Sequence, residues 1–172
     1  MTKKQDGQDE LLRLFEEQFG LMKKQLGFKS SLQEIDDIFF LKDIVLKEGF
    51  VSPKLSRMVC SRIVELFMSW AGYLHSLVMP NPGSMINVSE SQMFPDKEKE
   101  DIMQLISKIM VLASRNSMVS LTKDKKNDAK FIDDSVALWK EINPKLQQII
   151  RHVNEGWDEQ SQAKKPEKYD EL

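Results

Sequence analysis

The stretch Ile63–Met79, IVELFMSWAGYLHSLVM, holds only two side chains, Glu65 and His75, whose charge matters at neutral pH. A run this apolar is not left bare in water, so it belongs at the packed centre of the fold. Its borders are marked on both sides: Ser52-Pro53 is a start signal and Pro80-Asn81-Pro82-Gly83 a stop. The spacing predicts a helix over 53–78, about 26 residues and longer than the usual globular helix. It should be the axis of the molecule.

At 100° per residue, Leu55, Val59, Ile63, Phe67, Leu74 and Leu77 fall on one half of that helix. The other half gathers Ser61, Glu65, Ser69, Gly72 and Ser76, with Met68 leaning towards it. These are mostly small groups rather than the long charges of a solvated face. They permit another backbone to approach closely, from within the fold or from a second copy. The six residues are therefore the expected interface. The expected partner is the chain itself or another protein.

The remaining segments read as helices too, with no convincing strand. Leu11 to Leu26 is amphipathic: Leu12, Phe15, Phe19 and Met22 share an arc of about 100°, and Gly27 follows as a stop. Leu32 to Lys47 follows Ser30-Ser31, with Glu34 placed for a capping box. Its apolar residues lie on two sides, as in a helix with two neighbours. Residues 80–94 read as a loop that packs down through Met85, Ile86, Met93 and Phe94. Pro95 then starts a helix to about Leu121, and a charged turn at 123–128 separates it from the next. Pro144 breaks or kinks that last helix into a short hairpin. The ten methionines, eight of them between Met58 and Met118, read mainly as core filling.

The expected fold is all-α: an antiparallel helical bundle of about four main helices plus a short C-terminal hairpin, as one domain over 9–157. Residues 1–8 and 158–172 are polar and read as disordered tails. The N-terminus lacks the apolar block of a signal peptide, so neither the terminal Tyr169-Asp170-Glu171-Leu172 nor Asn87-Val88-Ser89 reads as a secretory feature. The cytoplasm is the expected location, and no membrane span is expected.

Chemistry is sparse. A net charge of −2 creates no broad basic field, so nucleic acid is a disfavoured partner. The lone Cys60 excludes an internal disulfide, and the two histidines, with Glu155 after His152 the nearest approach, supply none of the paired Glu-x-x-His motifs that a di-metal bundle needs. Glu98 and Asp101 fall in a first helical turn and are explained by the helix dipole. The one suggestive set is Glu16-Glu17 on the first helix with Glu34-x-x-Asp37 on the second. It resembles the EExxE and ExxD helices of the all-α nucleoside triphosphate pyrophosphatases of the MazG and dimeric dUTPase type. That resemblance implies magnesium held by Glu16, Glu17, Glu34 and Asp37. It covers residues 10–50 at most, and Gly20 stands where the third acid of the first motif belongs.

The leading expectation is thus a non-catalytic helical interaction protein, a scaffold, adaptor or complex subunit that self-associates without a cofactor. The alternatives are a magnesium-dependent pyrophosphatase and a nucleic-acid-binding accessory subunit.

Overall fold

The computed structural model describes residues 2–122 and 125–163. They form seven helices and no strand: α1 (Thr2–Leu26), α2 (Leu32–Phe39), α3 (Leu41–Glu48), α4 (Leu55–Val78), α5 (Met85–Gln92), α6 (Asp96–Thr122) and α7 (Lys125–Ala163). The all-α class is as expected. None of these helices is long and apolar enough to cross a membrane.

α4 packs against α1, α2, α5, α6 and α7, as an axis should. Val59, Ile63, Phe67, Leu74 and Leu77 are fully withdrawn from water, on the half that the periodicity predicts. Phe67 lies at the centre, its ring centroid 6.0 Å from that of Phe39 and 6.1 Å from that of Trp139. Each such burial contributes about 1.5–3 kcal/mol.

The predicted second helix is two helices. Phe40 sits between them in the left-handed region at φ 55°, a conformation that costs a residue with a Cβ about 1–2 kcal/mol. The reason lies in its neighbours. In a continuous helix Phe39 and Leu41 would project about 160° apart. With the break, both are completely buried, together with Ile35 and Val45. Three polar contacts hold the corner. Phe40 N–H donates to the Asp36 carbonyl at 2.8 Å, Asp36 Oδ1 accepts from Lys42 N–H at 2.8 Å, and Arg62 Nε donates to the Phe39 carbonyl at 2.9 Å.

Three further expectations are corrected. The 80–94 loop contains α5, whose first turn is capped by Ser84 accepting from Asn87 N–H. Pro144 neither ends nor splits α7, because Ile142 and Leu146 on either side of it are buried and hold the chain in register. The polar N-terminal segment is helical from Thr2, since an anchored helix propagates cheaply into residues such as Lys3, Lys4 and Gln5. Likewise α7 continues to Ala163, with 158–162 exposed. Lys123 and Asp124 of the expected charged turn, and residues from Lys164 onward, lie outside the described residues; Lys125 to Asp128 open α7.

Polar ties fasten the outer helices. Asp133 of α7 accepts from Lys29 N–H at 2.9 Å, Ser30 N–H at 2.9 Å and Ser30 Oγ at 2.7 Å, pinning the α1–α2 connection. Arg57 of α4 reaches Asp128 at 2.9 Å, Asn116 at 3.0 Å and Ser120, linking α4, α6 and α7 at one end.

Candidate functional site

The four acids of the magnesium reading do not share a site, and three of them are engaged elsewhere. Glu16 is ion-paired with Lys42 at 2.7 Å. The Lys42 ammonium is held above its ordinary pKa, first by that hydrogen bond and, against the cost of burial, by the negative field of Glu16, Asp36 and Asp37. A lysine thus supplies the positive charge that this cluster would otherwise draw from a cation. Glu34 is tied elsewhere: its Oε1 accepts from Lys140 of α7 at 2.8 Å and its Oε2 from Ser31 N–H at 3.0 Å, completing the predicted capping box. These bonds, that from Lys140 foremost, pull its pKa down to about 2. Asp37 accepts from Gln33 of its own helix, and Glu17 is exposed. Among the described residues no three His, Cys, Asp or Glu side chains stand close enough to share a metal ion.

The reverse face of α4 is open within this chain. Ser61, Glu65, Met68, Ser69 and Gly72 are exposed, and only Ser76 is half-buried. The fold therefore does not enclose the helix on all sides. Glu65 leans on Arg62 at 3.4 Å, and Ser76 Oγ donates to the Tyr73 carbonyl at 2.7 Å. The Ser61 and Ser69 hydroxyls make no hydrogen bond among the described residues. A Cβ built on Gly72 would meet nothing within 4 Å.

A second open face, on α6, has the opposite chemistry. Ile102, Leu105, Ile109 and Leu112, which share one side of the helix, are buried. On the other side Met103, Met110, Val111, Met118 and Leu121 stand in water, the last at 77% and Met118 at 60% exposure. At 100° per residue these five fall within an arc of about 100°, together with Ser107 and Ser114. Every serine on or beside the arc is already satisfied by its own helix. Ser107, Ser114, Ser117 and Ser120 donate to the carbonyls of Met103, Val111, Ala113 and Asn116. Along one edge runs a cleft of about 470 Å³ between α6 and α7, walled by Met118, Val119 and Phe131. Core filling, the expected role of most of the methionines, thus fails for Met79, Met85, Met103, Met110 and Met118, all exposed. The cue was present in the sequence: α6 has one apolar seam more than a single buried face needs.

The remaining reactive groups serve structure. Asp128, nearly inaccessible, is neutralised by Arg57. Burial, aided by the nearby Asp128 charge, pushes the Cys60 thiol up to about 12, which removes it as a nucleophile. His152 stacks on Phe94 at 4.7 Å, and its Nε2–H donates to the Met93 carbonyl at 2.9 Å. It fastens the α5–α6 corner to α7. His75, in the last turn of α4, is exposed. Comparison with protein-family models, with curated proteins and with solved structures finds no match to this chain.

Proposed function

We propose that the chain is a non-catalytic helical interaction protein, a bundle-like scaffold, adaptor or complex subunit that self-associates. The observation that carries this reading is the apolar arc of α6, five exposed large side chains on one face of one helix, in a molecule whose Glu16, Glu34 and thiol are consumed in internal contacts. Exposed apolar surface of that extent on a soluble domain marks a place where another surface sits. The α4 face, with Ser61, Glu65, Met68, Ser69, Gly72 and Ser76, is a second candidate contact. Its small side chains admit a close neighbour but do not require one.

Light scattering across a concentration series tests the reading, and the expected outcome is a mass that rises to an integral multiple of the monomer. A strict monomer at every concentration, binding no protein, would overturn it. The magnesium pyrophosphatase reading has a separate test. A panel of nucleoside triphosphates with magnesium should leave the melting temperature unchanged, whereas a ligand bound only by the folded state would raise it.

A further inference from the structure

We infer that the occupant of the α6 face is the same face of a second copy, lying antiparallel across a twofold axis near residue 112. The inference rests on the interaction reading above and names its surface, its partner and its polarity.

Size comes first. From their fractional exposures, Met103, Met110, Val111, Met118 and Leu121 leave on the order of 500 Å² of apolar surface in water per chain. A symmetric pair would remove roughly 1,000 Å², the threshold for a specific interface before any flanking atoms are counted. The stripe runs from Met103 to Leu121, about 27 Å along the helix.

Desolvation comes second. Burying a hydroxyl without a partner is costly, but the serines of this face already donate to their own helix. They can leave water with no donor stranded. Being small, they also leave room for methionine side chains from the facing helix, which adapt to irregular gaps. No unpaired charge lies within the arc between Met103 and Leu121.

Polarity comes third. The stripe begins beside Asp96 and Glu100, both exposed and in line with the arc, with Lys97 and Lys99 flanking them and Glu98 and Asp101 beside these, so that this end carries a net negative charge. It ends beside Lys130 of α7, exposed and lining the cleft with Met118, while Arg115, six residues before Leu121, is ion-paired with Asp134 at 3.3 Å. Parallel pairing would set acid on acid and base on base. Antiparallel pairing sets each acidic end against the partner's basic end and also opposes the two helix dipoles. An apolar arc with complementary ends matches itself under a twofold rotation, the commonest closed arrangement.

The experiment combines sedimentation with cross-linking on the full chain. Met110→Lys with Met118→Lys should weaken association by about a hundredfold or more, because it places charges at the centre of the contact. Both side chains are exposed, so the melting temperature and helical content of the monomer should stay as in the wild type. Ser69→Lys on α4 should leave association unchanged. For polarity, Cys60 is buried and leaves a clean background for oxidative cross-linking. Chains carrying S107C mixed with chains carrying S117C should form a mixed disulfide dimer, while S107C alone should not. Several results would overturn the inference: association unchanged by the α6 double variant, association abolished by Ser69→Lys, or efficient S107C–S107C cross-linking. A monomer at all concentrations would overturn self-association as well. A dimer lost only by the α4 variant would overturn this inference and leave the interaction reading standing.

Discussion

α4 and α6 each bury one side and leave the other in water, yet the two open sides differ in what water does to them. On α4 the exposed arc is Ser61, Glu65, Ser69 and Gly72 with one methionine, Met68, and its polar atoms are content in solvent. On α6 the exposed arc carries five large apolar side chains, and its hydroxyls are turned back onto the helix. Smallness permits a close neighbour; only exposed apolar surface is driven towards one. A stripe of glycine and serine is therefore a weak sign of assembly. A second hydrophobic seam on a helix that already has one is the stronger sign.

The buried side of α4 sets the scale against which both open faces are judged. Phe67→Ala should cost about 3–5 kcal/mol in urea unfolding, since it hollows the core between Phe39 and Trp139. A cost near zero would mean that α4 is not the axis. Arg57→Ala should cost a similar amount, about 3–5 kcal/mol, by leaving Asp128 charged and buried without its partner. Phe67→Ala touches neither open face, so it should not alter association at concentrations where the chain is folded.

The next effect is pH-dependent. Hydrogen bonds from Lys29 and Ser30 keep the Asp133 carboxyl below its usual range even though burial alone would raise it. Glu34 is held down to about 2 from an ordinary 4.5. In that interval the unfolded chain binds more protons than the folded one, so stability falls as pH drops. The loss should begin near the ordinary carboxylate range and continue towards roughly pH 2. Asp133→Asn should cost about 1.5–3 kcal/mol at neutral pH, by removing hydrogen bonds to a charged acceptor, and should make the acid slope shallower. An unchanged slope would contradict the clamp on the α1–α2 connection.

The smallest effect separates the faces most cleanly. Gly72 lies mid-helix with open space where a Cβ would go. Gly72→Ala should stabilise the monomer by about 0.5–1 kcal/mol and leave association alone. If it weakens association instead, the α4 face is the contact and the comparison above is inverted.

Much of the architecture was legible in the sequence because it depends on local chemistry. The period of α1, its stop at Gly27 with φ 77°, the Ser31–Glu34 capping box and the core half of α4 all follow from residues near one another. The α2–α3 corner was not legible. It exists because Phe39 and Leu41 must both reach a core assembled from distant helices, a demand that overrides a continuous helical pattern. Pro144 misled for the same reason, since tertiary burial of Ile142 and Leu146 outweighs one missing hydrogen bond. The acids misled differently. Their spacing is visible in the sequence, but their partners, Lys42 for Glu16 and Lys140 for Glu34, come from other helices. The α6 face was visible and misassigned, because methionine at helical spacing usually lines a core.

Methionine oxidation mapped residue by residue tests the central claim directly, because both open faces carry the reporter. Peroxide treatment at low and high protein concentration, read by mass spectrometry, would compare Met110 and Met118 on α6 with Met68 on α4 and the 87%-exposed Met85 on α5. The account predicts that Met110 and Met118 become protected as concentration rises while Met68 and Met85 oxidise at unchanged rates. Protection of Met68, with Met110 and Met118 reacting as fast as Met85 at every concentration, would contradict it.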